Sequence, residues 1–206
     1  MTRSLLRCAF ASVCIALLQS CAASPTSNYY LLTAGEFPDP TGGPLATNTL
    51  SLGVGPVSVP PYLERDNMVY RQQGNTLQIA AYDKWAEPLA DGITRVMSLN
   101  LAQALAANVR AFPWHASSAP DYALSIDVLE LDIDGQRALL SADWRLYQPD
   151  TGANLVRRTS RIHTELPAGS TPMQAIPAAY SELLVALGTI IAEAFHAGKE
   201  APGASR

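Results

Sequence analysis

The chain has 206 residues, 48% of them hydrophobic and 16% charged, with a formal net charge of −4 and three cysteines. Such a composition belongs to a packed globular domain and excludes a disordered stalk. Its acidity excludes nucleic acid as a partner on electrostatic grounds.

The first twenty-one residues are laid out as an export signal. Arg3 and Arg7 form a basic n-region, Cys8 to Leu18 is an apolar run, and the small Ser20 stands directly before Cys21. A membrane-spanning helix needs roughly 20 apolar residues, so this run is too short to serve as the lasting anchor. Leu18-Gln19-Ser20-Cys21 is similar to a bacterial lipobox, where a dedicated peptidase cuts just before a lipid-modified cysteine. Gln19 is bulkier than the residue usual in that slot. The expected organisation is a signal peptide over 1–20, a lipidated Cys21 with a short tether over 21–27, a single domain over 28–198 and a disordered tail over 199–206. Each buried CH₂ of an acyl chain gains about 0.8 kcal/mol, so two or three chains hold a domain to a bilayer where one does not. An ordinary secretory signal cut after Ala22 or Ala23 is the alternative. Ala22, and no aspartate, follows the cysteine; by resemblance to enterobacterial-type lipoproteins, this points to the outer membrane with the domain facing the periplasm.

Removing the signal leaves 186 residues, enough for one domain with a sizeable core. Cys8 and Cys14 leave with it, so no disulfide or cysteine-based metal site is expected in the domain. Loss of Arg3 and Arg7 takes the formal net charge from −4 to −6.

The body opens with a strand over Asn28 to Thr33, then a Pro- and Gly-rich loop over Gly35 to Asn48. Leu50 to Val59 reads as a strand whose apolar parity switches across Gly55-Pro56, which predicts a bulge. Met68 to Gln73 and Thr76 to Tyr82 flank Gly74-Asn75 as a hairpin. Leu89, Ile93, Val96, Met97, Leu101, Ala104 and Leu105 recur at helical spacing, with Pro88 at the first helical position and an end near Asn108. Val109 to His115 is a candidate short strand.

Tyr122, Leu124, Ile126 and Val128 alternate with polar residues, after which Leu129, Leu131 and Ile133 take the opposite parity, predicting a second bulge. Ala138 to Leu146 continues the alternation, and a polar strand over Asn154 to Leu166 completes a three-strand meander. Thr171-Pro172-Met173-Gln174 has the form of a capping box. The helix behind it carries a stripe from Met173 to Phe195, with Pro177 expected to kink its start and Gly198 to end it. The sum is an α+β domain: a mainly antiparallel sheet with two long helices on one face.

Catalytic patterns are missing from the sequence. His115, His163 and His196 are isolated from one another and from acidic pairs, and no G-x-S-x-G, H-E-x-x-H or phosphate-binding loop occurs. No enzyme activity, metal or cofactor is expected. Asp132-Ile133-Asp134-Gly135 lacks the further carboxylates of a calcium loop and reads as a strand end entering a turn. Arg157, Arg161 and His163 share one strand face, where they either meet an anionic ligand or form a solvated face balanced by neighbouring carboxylates. Trp85 is a candidate staple for the helix entry.

Gly55-Pro56-Val57-Ser58-Val59-Pro60-Pro61-Tyr62-Leu63-Glu64-Arg65, then Trp85-Ala86-Glu87-Pro88-Leu89, Arg95-Val96 and Asn100-Leu101, together with Tyr29-Tyr30-Leu31-Leu32, resemble the PqiC-like family of ABC-transport auxiliary lipoproteins over nearly the whole mature chain. The resemblance implies a non-enzymatic subunit of an envelope lipid-transport system. Its implied partners are a periplasm-spanning protein with mammalian-cell-entry (MCE) domains and an inner-membrane transporter component. Only the acylated cysteine carries over a chemical role, here to Cys21. Because a subunit that ends a tube is most simply built as a closed ring, a homo-oligomer is expected, with Tyr62, Leu63, Arg65 and Trp85 as candidate partner or oligomer contacts. An independent lipid-binding or sensing lipoprotein is the alternative; it would need an apolar pocket of several hundred Å³.

Overall fold

A computed structural model describes residues 25–36, 50–166 and 172–200. The expected signal, Cys21, most of the Gly35–Asn48 loop, Thr171 of the capping box and the last six residues of the tail lie outside the described residues. The elements are β1 (Asn28–Tyr30), β2 (Ser51–Ser58), a 3-10 turn at Pro61–Leu63, β3 (Asn67–Gln73), β4 (Thr76–Trp85), α1 (Leu89–Leu105), β5 (Asn108–Ala111), β6 (Tyr122–Asp134), β7 (Arg137–Tyr147), β8 (Asn154–Glu165) and α2 (Pro172–Glu200).

The strands form two mixed sheets, one ordered β1-β4-β3 and one ordered β5-β2-β6-β7-β8. The α+β class and the two helices are as expected, but the strands divide into two sheets and neither is purely antiparallel. The meander β6-β7-β8 and the hairpin β3-β4 are antiparallel, but β2 runs parallel to both β5 and β6, and β1 runs parallel to β4. Alternation of apolar residues reports which face of a strand is buried and carries no information on the direction of its neighbour.

Both parity switches are bulges. Val54 pairs with Leu124 and Val57 with Ile126, so β2 spends three residues where β6 spends two, with Gly55 at φ 122°. In β6, Val128 pairs with Ala142 and Glu130 with Ser141, leaving Leu129 as the extra residue, 54% exposed rather than part of the inward set. The inward face of the meander then holds Leu124, Ile126, Val128, Leu131 and Ile133 against Ala138, Leu140, Ala142, Trp144 and Leu146.

Both helices cover this inner face and touch each other: α1 packs on β2 and β5, α2 on β6, β7 and β8. The α1 stripe Leu89, Ile93, Val96, Met97, Leu101 and Leu105 is buried. Pro88 is the residue before the helix rather than its first residue, and Ala106, at φ 48°, stops it two residues short of Asn108. β5 is shorter than expected, ending at Ala111. Gly198 lies inside α2 and does not end it; a Cβ there would come within 2.8 Å of Leu155 on β8, so the glycine admits the edge strand. α2 is long and apolar enough to cross a membrane, but 67% of its apolar window is buried inside the domain, which makes it the core helix.

β2 stops pairing with β6 at Asp127, and β3 packs against the remaining stretch of β6. The join is polar. Asp132, 2% exposed, takes a hydrogen bond from the Arg71 backbone N–H at 3.0 Å and lies 2.8 Å from the Arg71 guanidinium. Tyr180 of α2 donates to the Leu131 carbonyl at 3.3 Å. Burial, with Asp132 adding to it, pushes the Tyr180 phenol well above its ordinary value and keeps it a donor.

A buried carboxylate left without its cation costs more than the pair contributes. Arg71→Met is expected to destabilise the domain by about 3–5 kcal/mol, and adding Asp132→Leu to recover part of that loss. Urea unfolding of both variants checks this; a double variant weaker than the single would refute it.

Candidate functional site

The helices pack on one face of the five-stranded sheet and leave its other side open, and the N-terminal segment is strapped across the helices. β1 forms only three pairs with β4, yet the residues after it are stitched across the two helices. Arg95 of α1 donates to the Leu32 carbonyl at 2.9 Å and pairs with Glu87. The Thr33 N–H donates to Ser181 Oγ of α2, and the Gly35 N–H to Asn100 Oδ1 of α1, both at 3.0 Å. Leu32 is buried beneath this strap. Gly188 lies where α2 passes Asn100 and Met97 of α1, so the strap crosses the helices near their close approach.

Trp85 stacks on Tyr180 with ring centroids 6.1 Å apart, tying β4 to α2. With 6% exposure for Trp85 and 3% for Leu63, neither offers a contact surface in the monomer. These two interface candidates are core residues: Leu63 turns inward from the 3-10 turn, and Trp85, at the end of β4, packs on α2. Tyr62 is half-buried, and Arg65 is exposed. Burial, then Asp132 and Glu130, raise the Tyr62 phenol above its ordinary value.

Arg157, Arg161 and His163 do share the outer face of β8, and all three are exposed. Arg157 pairs with Asp143 at 2.8 Å and Arg161 with Glu130 at 3.4 Å, while Glu130 also faces Arg71 at 3.6 Å. The Arg157 guanidinium holds the Asp143 carboxyl below its ordinary value. Neighbouring carboxylates therefore already balance this strand. Asp134 is exposed at the turn and Asp132 is committed to Arg71, so the acidic strand end does not gather into a site. His115, His163 and His196 sit exposed on separate elements.

The small sheet exposes apolar residues instead. Among the described residues the exposed large hydrophobics include Tyr29, Leu31, Leu77, Ile79 and Tyr82, all on or next to β1 and β4. Sequence reasoning missed them as a group. β4 has three extra residues between Ile79, opposite Val69, and Lys84, opposite Asn67, and this odd number brings Ile79 and Tyr82 to one face. Tyr29 sits beside Lys84 on that face.

The chain thus builds a helix-backed sheet layer with an open outer side and a strapped N-terminal lead. The chain belongs to the ABC-type transport auxiliary lipoprotein component family, whose profile matches residues 30–192. It is thus a member of a membrane-anchored lipoprotein family. A crystal structure of an uncharacterized protein is 20% identical, with a TM-score of 0.67, and the match covers 83% of this chain and 99% of that one. Protein XCC0632 from Xanthomonas campestris is also 20% identical, with a TM-score of 0.66 and coverage of 85% and 100%. These two likenesses concern the fold. No curated protein matches the sequence.

The family-like blocks have structural work in this fold: Trp85 holds α2, while Glu87, Arg95 and Asn100 hold the strap. Asn100→Ala removes the acceptor for the Gly35 N–H inside the domain, and is expected to cost about 1–3 kcal/mol and to speed amide exchange at Gly35. Urea titration and hydrogen exchange check it; unchanged exchange at Gly35 would show that the strap does not depend on this bond.

Proposed function

We propose that the protein is a non-enzymatic, outer-membrane-anchored subunit of an MCE-type lipid transport system, facing the periplasm and docking the protein that spans it. The observation that carries this reading is the family match over residues 30–192, joined to the lipobox at Leu18–Cys21. The interior supports an adaptor over a lone lipid carrier. Trp144, Tyr180 and Phe195 fill the space between sheet and helices. A groove of about 470 Å³ beside Gly55, Thr94, Arg95 and Phe112, and another of about 620 Å³ beside Asp121, Gln148 and Asp150, are open to solvent and partly polar. An acyl chain needs a more enclosed and more apolar site.

Acylation of Cys21 makes the lipid the anchor on which membrane association depends. Cys21→Ala is expected to release the protein from the membrane fraction with its thermal unfolding unchanged. Fractionation together with palmitate labelling checks this, and a variant that still sediments with membranes would refute it.

A closed homo-oligomeric ring suits a subunit placed at the end of a tube. With Leu63 and Trp85 in the core, Tyr62 and Arg65 remain as contacts from the connector. Native mass spectrometry of the protein at tens of micromolar, alone and with a co-expressed MCE partner, is expected to show a single defined oligomer. Monomer in both samples would refute the ring.

A further inference from the structure

We propose that the outer face of the β1-β4-β3 sheet lies directly on the phospholipid bilayer, with Tyr29, Leu31, Leu77, Ile79 and Tyr82 in the headgroup layer as a second contact beside the lipid anchor. The inference rests on acylation at Cys21. Of the eight exposed large hydrophobics among the described residues, these five belong to one small sheet and the residue after it. Contiguous exposed apolar surface on a soluble domain marks an interaction site.

The bilayer is the occupant indicated by the chain itself. Asn28, where β1 begins, is seven positions from Cys21. At no more than about 3.6 Å per residue, those seven positions reach about 25 Å even fully extended, less than the thickness of a bilayer. The sheet that carries the patch is therefore the part of the fold held nearest the lipid. Composition agrees. Tyrosine suits the membrane interface because its ring is apolar and its hydroxyl stays hydrated.

Charge agrees as well. The processed protein is acidic, yet the patch face of this sheet carries Lys84 beside Tyr29, while Arg71 is committed to Asp132 and Glu130 of β6. Asp83 is turned to the other face, where it accepts hydrogen bonds from Asn28 at 2.9 Å and Tyr30 at 3.0 Å. Within the three strands no other carboxylate competes with Lys84; the exposed Glu64 and Asp66 lie in the turn before β3. The carboxylates of β6, Asp127, Glu130, Asp132 and Asp134, lie beyond β3 on the far side of the patch.

The processed chain has no cysteine besides Cys21, so one new thiol can be labelled uniquely. Tyr29→Cys, Ile79→Cys and, as control, Thr189→Cys on the exposed side of α2 would each carry an NBD fluorophore on the full-length acylated protein. The protein is reconstituted into phosphatidylethanolamine–phosphatidylglycerol vesicles containing lipids spin-labelled near the headgroup. The expected result is quenching by these lipids at 29 and 79 several-fold stronger than at 189, with matching protection from aqueous iodide. Equal lipid quenching at all three sites, in protein that floats with the vesicles, would overturn the proposal. Protection at 29 and 79 from both quenchers would also overturn it, since a protein surface would then cover the patch. Protein that fails to float would overturn the Cys21 anchor itself, and the proposal with it, by a separate readout.

Discussion

The carboxylate of Asp132, the one charged side chain among the buried polar residues described, sets how the two sheets meet. Bringing it out of water is tolerable only where Arg71 supplies both a guanidinium and a backbone N–H, and that requirement fixes β3 against the part of β6 that β2 no longer covers. Apolar contacts alone would allow the hairpin β3-β4 to slide along β6. A charge with one partner gives it one position. Because the hairpin is held there, Trp85 reaches Tyr180 from the small sheet, while the helices pack on one face of the five-stranded sheet and leave its other side open.

The exposed surfaces of the two halves differ in what they can bind. The β6–β8 half is cross-linked by Arg157–Asp143, Arg161–Glu130 and Arg71–Glu130, so an anionic ligand would have to compete with carboxylates already in place. Exposed ion pairs of this kind contribute little stability, and they mainly keep the surface hydrated and unattractive to other apolar surfaces. The β1–β4 half has no such network. The exposed apolar surface therefore gathers on the side of the domain where its N-terminal lead emerges.

How much of this was legible in the sequence depends on which physical signal each feature leaves. The parity switches at Gly55-Pro56 and around Val128 are written in the alternation and appear as bulges, and the stripes of both helices appear as the buried faces of α1 and α2. Strand direction leaves no such trace, so the parallel neighbours of β2 and the split into two sheets were not visible. Neither were partners distant in sequence: the Thr33–Ser181 bond spans 148 positions. Leu63, in the 3-10 turn, and Trp85, at the end of β4, sit where elements end, a position that leaves surface and core equally open in the sequence; both are buried. The exposed cluster around Ile79 and Tyr82 depends on three extra residues in β4, which no periodicity count anticipates.

A tether this short changes what a surface contact has to achieve. A random-coil tether of about seven residues has an r.m.s. reach near 14 Å, and a site confined to that distance would meet the bilayer at an effective concentration in the millimolar range. A patch too weak to bind vesicles on its own can then be engaged most of the time once the acyl chains are inserted. The strap matters for the same reason. A lead that swung freely would lengthen the tether, lower the effective concentration and let the domain tumble. With Leu32, Thr33 and Gly35 tied to Arg95, Ser181 and Asn100, the position of β1 reports the orientation of the whole core. In the adaptor role proposed above, that rigidity would matter more than a tight membrane contact.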